Sequence, residues 1–301
     1  MAMTLDGSNG VTFNDASLQG AAASPFGLKN RVINGDMRID QRNAGASVTP
    51  ANGAYTLDRW VAFQSAASKF TVQQNAGSVT PPAGFKNYLG VTSSSAYSVG
   101  SGDYFAILQI IEGYNVADLD WGTANAKTVT LSFWVRSSLT GTFGGSLQNS
   151  ANNRSYPFTY TISVANTWEQ KTVTVAGDIS GTWLTTNGAG LYVQFGLGVG
   201  TNYSGTATGS WVGANYLTAT GATSVVGTNG ATFYITGVQL EIGSTATPFE
   251  RRLYNHELAA CQRYYWQQIS PAASAGTRPL GVGTYLTSAY MEWFAQFPVP
   301  M

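Results

Sequence analysis

The sequence predicts an all-β protein: an antiparallel jelly-roll-like β-sandwich, then a short helix, then the start of a second β segment. Three observations carry that prediction. Many short runs alternate apolar and polar residues with the period of a half-buried strand, roughly every 8 to 12 residues. Between them lie connections rich in Gly, Ser, Thr and Asn, the residues of tight turns. Only one stretch, from Tyr254 to Tyr265, spaces its apolar residues as a helix face does. No fixed-length repeat is visible, which argues against a propeller or a β-helix.

In chain order, residues 1–29 are small and polar. Thr4-Leu5 and Val11-Thr12-Phe13 read as short strands about a Gly7-Ser8-Asn9-Gly10 turn, and Ala21-Ala22-Ala23-Ser24-Pro25 reads as a linker. Such a segment buries little by itself; it either docks on a partner or trails as a loose arm. The sandwich is expected over residues 30–252. Residues 60–63 and 70–72 are short strands, and residues 104–111, apolar on both faces, read as a strand buried on both sides. In the run 128–136, Val129, Leu131, Phe133 and Val135 point inward, with Thr130, Ser132, Trp134 and Arg136 outward. Tyr156, Phe158, Tyr160, Ile162 and Val164 form a second regular face; Leu191, Val193, Phe195, Leu197 and Val199 form a third.

In the closing strand the inward parity switches from Phe233 and Ile235 to Val238, Leu240 and Ile242. Gln239 and Glu241 lie opposite, and Gly237 sits at the switch, which predicts a β-bulge. A connecting helix is expected over residues 253–268, with Asn255 as N-cap and Glu257 in the first turn, where an acid suits the helix dipole. Its apolar face is Tyr254, Leu258, Cys261 and Tyr265. Residues 269–301 return to β.

The run VQLEIGSTATPFERRLYNHELAACQRYY, from Val238 to Tyr265, resembles a segment of bacteriophage tail-fibre and virion appendage proteins. In that family a QLE-G--ATPFE-R strand-turn leads into an EL--CQRYY helix. NRVINGDMRIDQRNAG, from Asn30 to Gly45, and YTLDRW, from Tyr55 to Trp60, resemble the family's opening elements. The resemblance implies a non-enzymatic virion protein, a tail fibre or receptor-binding protein adhering to a host-surface polysaccharide or receptor. It implies a sandwich similar to carbohydrate-binding modules, a homotrimer, and attachment to other tail or baseplate proteins through residues 1–29. Glu250, Arg251 and Arg252 would fix the junction between sandwich and helix, and Tyr254, Leu258, Cys261 and Tyr265 would pack on the sandwich or on symmetry mates. The chain stops at Met301, within a strand like the family's FPVPM, so the distal part of the family is expected to be absent or truncated. Two other readings stay open: a capsid or head decoration protein (a head fibre included), and a tailspike-type polysaccharide depolymerase.

A catalytic site finds little support. His256 is the single histidine, no G-x-S-x-G elbow accompanies it, and lone Cys261 lies on the apolar helix face, where burial is expected. These counts exclude a Cys/His metal site, and no catalytic residue, metal or cofactor is expected. Gly196-x-Gly198-x-Gly200 lies on a strand with no helix after it, unlike a nucleotide loop. Asp118-x-Asp120, with Glu112 nearby, offers hard oxygen ligands for calcium, but reads first as a polar turn before Trp121. A glycosidase needs two carboxyl groups about 5 to 9.5 Å apart; Asp103, Glu112, Asp118, Asp120, Glu169 and Asp178 are candidates that sequence cannot pair. Binding has better warrant. Trp134, outward on its strand, and Trp121, Trp183, Tyr203, Trp211 and Tyr216, in Gly/Asn/Thr-rich connections, are candidate platforms for sugar rings. The same rings would equally serve as core or subunit-interface filling.

Charge completes the reading. Only 10% of the 301 residues are charged and the net charge is zero, against about 25% charged in ordinary domains. A nucleic-acid binder held by phosphate contacts would need a basic surface. Between Ile179 and Leu240 there is no Asp, Glu, Lys, Arg or His. No run approaches the ~20 apolar residues that span a bilayer, and the first residues lack the basic and apolar regions of a secretory signal. A protein made in the host cytoplasm and located in the virion fits this pattern, with no nucleic acid and no membrane insertion expected.

Overall fold

The computed structural model describes residues 29–267 throughout, Val299, and five further strands outside that span. Three of those strands, β1 (Thr4–Asp6), β2 (Gly10–Thr12) and β3 (Leu18–Gln19), form a small antiparallel sheet in that order. Thr4 pairs with Thr12 and Asp6 with Gly10. The expected linker at residues 21–25 lies outside the described residues.

The main body holds β4 (Trp60–Gln64), β5 (Phe70–Gln74), β6 (Leu89–Ser93), β7 (Tyr104–Glu112), β8 (Val129–Ser137) and β9 (Gly141–Gln148). It continues with β10 (Ser155–Ile162), β11 (Glu169–Val175), β12 (Ala189–Val199), the two-residue strands β13 (Ser204–Gly205) and β14 (Thr218–Ala219), and β15 (Thr232–Ile242). Two five-stranded sheets result: a front sheet in the order β10-β9-β12-β7-β4 and a back sheet in the order β11-β8-β15-β6-β5. All neighbours within them run antiparallel. This is a jelly-roll-like sandwich, followed by α1 (Tyr254–Gln262) and by the hairpin of β16 (Gly283–Thr287) and β17 (Tyr290–Trp293).

Alternation dictates the core. Phe195 of β12 meets Phe133 of β8 edge-to-face at 5.0 Å, and Phe133 meets Tyr160 of β10 in the same way at 5.0 Å. Such offset aromatic pairs are favoured by the ring quadrupole. Burial pushes the Tyr160 phenol far above its ordinary range. The inward residues expected on β8, β12 and β15 are buried, with two exceptions at strand ends: Val199 is only partly covered, and Ile242 is exposed. Val164 departs from expectation too, because β10 ends at Ile162 and leaves it in solvent. Three strands carry no strong pattern in the sequence. These are β6, the glycine-bearing β9, and the edge strand β11, whose residues alternate only weakly.

The bulge predicted in β15 is present. Register with β8 shifts between Thr236 and Gln239, and Gly237 adopts φ +60°, open to glycine at low cost. The glycines at 196, 198 and 200 serve packing instead. A Cβ on Gly196 would lie 3.1 Å from the Thr218 hydroxyl, and Gly198 sits at a second register shift, between β12 and β7. Thr218 lies over the front sheet's outer face, so the excursion from β12 to β15 covers the Gly144–Gly196 part of that face.

The polar side of β15 is buried rather than solvated. Gln239 and Glu241 bond each other at 2.8 Å, Glu241 accepts from Thr247 N–H at 2.8 Å, and Gln239 accepts from Glu250 N–H at 2.7 Å. The outward positions Thr130 and Ser132 are likewise covered. The helix also differs from expectation. It begins at Tyr254 with Leu253 at the N-cap position and no side-chain cap, while Asn255 bonds only the next N–H. Its buried positions are Glu257 and Cys261, and Tyr254 is 57% exposed. The Asn34 N–H and an ion pair to Arg252 (3.4 Å) hold the Glu257 carboxylate inward, while Tyr254 faces out.

Gly145 of β9 tests how closely its two neighbouring strands in the front sheet crowd it, since a Cβ there would lie 2.6 Å from the Phe158 ring of β10 and would collide with the Gln194 carbonyl of β12. Gly145→Ala is expected to destabilise by about 1–3 kcal/mol, lowering the urea midpoint with an unchanged slope. An unchanged midpoint would contradict the close approach.

Candidate functional site

A cleft of 340 Å³ opens on the uncovered part of the front sheet's outer face. Its floor comes from the parity that the core leaves free: Val61 and Phe63 of β4, Tyr104, Leu108 and Ile110 of β7, Tyr192 and Gln194 of β12, and Gln148 of β9. Gly53, Tyr55 and Asn152 line it from loops, and Tyr203, Asn215 and Leu217 line it from the excursion. One wall is a continuous aromatic run. Phe63 stacks on Tyr104 at 4.5 Å, and Tyr104 meets Tyr203 edge-to-face at 5.4 Å. Tyr55 and Tyr192 add two more rings. Burial, and then the neighbouring Tyr55, raises the Tyr192 phenol above its ordinary value.

Opposed to this wall is a chain of amides. Gln194 donates to Gln148 Oε1 at 2.8 Å, and Gln148 donates to Asn215 Oδ1 at 2.6 Å. Gln194 Oε1 has no partner among the described residues. Among the described residues, none lining the cleft is Asp, Glu, Lys, Arg or His. The cleft therefore offers apolar ring faces and neutral hydrogen-bonding groups, without a side chain to act as an acid or base near neutral pH.

Of the aromatics singled out from the sequence, Tyr203 lies in this cleft and the others lie elsewhere. Trp121, Trp183 and Trp211 come together as a three-ring cluster with centroids 4.8 to 5.2 Å apart. Each indole N–H donates to a backbone carbonyl: Trp121 to Lys127, Trp183 to Ser180 and Trp211 to Ala176. These rings spend their faces on one another and close an end of the sandwich. Trp134 is on the outer face of the back sheet, half-buried where Phe85 lies against Gly237. Tyr216 covers Gly205, where a Cβ would lie 2.5 Å from its ring.

The sequence reading missed Tyr55, Phe63, Tyr104 and Tyr192. Its available signal was the strand apolar on both faces. In a two-layer sandwich the second apolar face of β7 has no third layer to meet, so it must be covered by a loop or form a binding surface.

The candidate carboxylates are dispersed among separate partners. Asp118 pairs with Arg31 at 2.6 Å, Asp120 with Lys127 at 3.3 Å, Glu169 with Lys171 at 2.6 Å and Asp178 with Arg154 at 2.5 Å. Asp103 accepts from Ser65 and from Gly100 N–H, and the latter bond leads in holding its carboxyl below the usual range. Glu112 receives Arg263 in a two-pronged pair at 2.7 and 3.2 Å, and the Tyr264 hydroxyl as well. Among the described residues no cluster of three His, Cys, Asp or Glu side chains is placed to hold a metal ion. Cys261 is buried and its thiol is pushed well up by desolvation. His256 is exposed.

The junction residues knit chain segments together. Glu250 accepts from the N–H groups of Lys29 and Asn30, at 3.0 and 3.1 Å, and pairs with Arg252 at 3.3 Å. Arg252 also donates to the Asn30 carbonyl. Arg251 has its guanidinium 4.8 Å from the Phe85 ring centroid and 5.7 Å from that of Phe249. Leu258 is partly covered, and Tyr265 stacks under Arg42 at 3.4 Å.

No protein-family model matches the chain, and no curated protein does so either. Among solved structures, the chain is similar to the enzymatically active domain of tailspike protein 4 from bacteriophage CBA120. The identity is 14%, with 71% of this chain and 22% of that one covered, at a TM-score of 0.38. It is similar to a CBM4 module at 14% identity (70% and 98% covered, TM-score 0.35). It is also similar to the family 11 carbohydrate-binding module of Clostridium thermocellum at 10% identity (67% and 98% covered, TM-score 0.32). The fold assignment rests on the two sheets themselves; overlaps this distant carry no argument about the cleft.

The Glu112 pair sets a pH dependence. The Arg263 bonds lead in lowering the Glu112 carboxyl below its ordinary 4.5, against the opposing effect of burial. A depressed folded value gives stability that is present above 4.5 and lost as pH falls through the lowered value. The gap in thermal midpoint between wild type and Glu112→Gln is therefore expected to be full at neutral pH and to close under acid. A gap that persists unchanged at low pH would contradict this assignment.

Proposed function

We propose that this chain is a non-enzymatic phage virion protein, a tail fibre or receptor-binding protein that holds an uncharged stretch of host-surface glycan in the front-sheet cleft. The observation that carries the reading is the cleft's composition: five aromatic rings and several carboxamides, with no ionisable acid or base beyond its tyrosines. Pyranose rings present an apolar face of C–H groups and an edge of hydroxyls, which aromatic faces and amide groups respectively complement. The absence of carboxylates from the lining supports adhesion over hydrolysis, because glycoside cleavage needs a facing carboxyl pair. The virion role rests on the tail-fibre resemblance of residues 238–265. On that reading residues 1–29 attach to other tail or baseplate proteins and the working unit is a homotrimer.

The test is calorimetric titration of the full chain with four neutral oligosaccharides: cellotetraose, mannotetraose, β-1,4-galactotetraose and chitotetraose. Binding to at least one is expected, with no sugar release on prolonged incubation. Affinity should be flat between about pH 5 and about pH 9, since no lining side chain titrates there in its ordinary range. Tyr104→Ala and Tyr203→Ala should each weaken binding by roughly three- to tenfold. Reducing-end release that a carboxylate variant abolishes would favour the depolymerase instead. Light scattering tests the assembly: a threefold mass is expected, and a monomer would count against the fibre.

A further inference from the structure

We propose that Tyr264 and Tyr265, just past α1, are positioning residues for the cleft, holding its wall from behind through two arginines. The inference rests on the reading of that cleft as a glycan site, and it gives the Arg-Tyr-Tyr end of the tail-fibre-like motif a physical task. Neither tyrosine lines the cleft. Each instead supports a guanidinium that touches the lining.

The first connection runs through Arg42. Its guanidinium lies 3.4 Å from the ring centroid of Tyr265 and 5.1 Å from that of Tyr55, a cleft residue. Arg42 makes no salt bridge among the described residues, and its Nε is buried without a partner. The two ring faces flank it in the manner of cation–π attraction, with the Asp40 carboxylate as a further coulombic partner. Tyr265 is itself anchored to the same loop, since Gln41 donates to its carbonyl at 3.1 Å and Gln267 donates to the Gln41 carbonyl.

The second connection runs through Arg59. Its guanidinium lies 3.5 Å from the Tyr264 ring centroid and donates to the carbonyl of Ile110, which lines the cleft. The Tyr264 hydroxyl and the Arg263 fork both bind Glu112, the last residue of β7. Tyr104, Leu108 and Ile110 stand on that same strand. The segment 263–265 therefore grips both the loop that carries Tyr55 and the end of the strand that forms the floor. Loss of the Tyr265 ring leaves Arg42 with a single aromatic partner and frees Tyr55 to move, so affinity falls although no cleft atom has been removed.

The coupling is reciprocal: an occupant that fixes Tyr55 must also steady residues 264–267. The four neutral tetraoses are titrated into wild type, Tyr265→Ala, Tyr265→Phe, Arg42→Ala and the double variant Arg42→Ala/Tyr265→Ala. For any tetraose that binds, Tyr265→Ala is expected to weaken affinity on the order of tenfold, with Tyr265→Phe within about twofold of wild type. The double variant should be no weaker than Arg42→Ala alone, because both act through one stack. Val173→Ala, on the remote edge strand β11, controls for general destabilisation: it should lower the thermal midpoint and leave affinity unchanged. Hydrogen exchange at 264–267 should slow on adding the bound tetraose.

Equal affinities for wild type and Tyr265→Ala, at a temperature where both are folded, would overturn this inference and leave the glycan site standing. An affinity loss in Val173→Ala matching that of Tyr265→Ala would overturn it as well, by reducing the effect to stability. Failure of all four tetraoses to bind the folded wild-type chain would overturn both readings together.

Discussion

Asn34 is wholly buried in a left-handed backbone conformation, φ +57°, and its polar groups are engaged on every side. Its side-chain amide donates to the carbonyls of Ile39 and Asp58 at 2.8 and 2.9 Å, and its oxygen accepts from Ile39 N–H at 3.0 Å. Its own carbonyl takes the Trp60 indole N–H at 3.0 Å, and its N–H goes to the Glu257 carboxylate. Three pieces of chain thus meet at one residue: the opening segment, the 58–60 turn with its core tryptophan, and α1. A buried carboxamide of this kind stabilises only while it stays fully paired, since each group left unpaired costs about 1–3 kcal/mol. Other parts of the molecule take their positions from that knot.

Asn30 extends it to the bulge. Its side chain accepts from Leu240 N–H at 3.0 Å and donates to the Val238 carbonyl at 3.1 Å, beside the irregularity at Gly237. The bulge leaves backbone groups of β15 unpaired with β8, and the opening segment supplies the missing partners, with Val238 N–H donating to Gly35 at 2.9 Å. Gly35 is required there because a Cβ would collide with the Val238 carbonyl. The ion pairs gather nearby. Five of the eight salt bridges among the described residues join positions 31–38 or 250–263 to one another or to Glu112 and Asp118. A chain this poor in charge spends much of it at one junction, where removing one partner of a buried pair costs far more than the pair contributes beyond an apolar replacement.

How much of this was legible in the sequence follows from which forces are local. Strand alternation is local, so the inward faces of β8 and β12 and the parity switch at Gly237 could be read directly. What covers an outward face is not local. Nothing in the run around Gln239 and Glu241 announces that the 244–250 turn folds back over it, and nothing near Glu257 announces that Asn34 and Arg252 will hold it inward while Tyr254 faces out. The tryptophans misled for a related reason. Positions in Gly-rich connections suggest exposure, yet Trp121, Trp183 and Trp211 converge from three connections into one cluster, a convergence only topology produces. Tyr203 alone was found among the cleft residues; Tyr104 and Phe63 were hidden inside strands whose second apolar face looked like core.

That second apolar face is where fold turns into function. A sandwich has two inner faces and two outer ones, and the polar side of β15 on the back sheet is taken up by the junction. On the front sheet, glycines at 144 and 196 let the Thr218 segment lie close over part of the outer face. The remainder, over β4, β7 and the adjoining part of β12, leaves Phe63, Tyr104, Ile110 and Tyr192 only partly covered, with Val61 and Leu108 buried beside them in the cleft floor. Leaving contiguous apolar surface open is unfavourable in water unless a ligand covers it. The excursion that borders the cleft lies within a stretch from Ile179 to Leu240 that holds no Asp, Glu, Lys, Arg or His, so both the wall it contributes and the groups it aligns are uncharged near neutral pH. Ionic grip at the junction and neutral, aromatic recognition at the cleft are thereby kept apart in the molecule. Arg42 and Arg59 reach from one to the other.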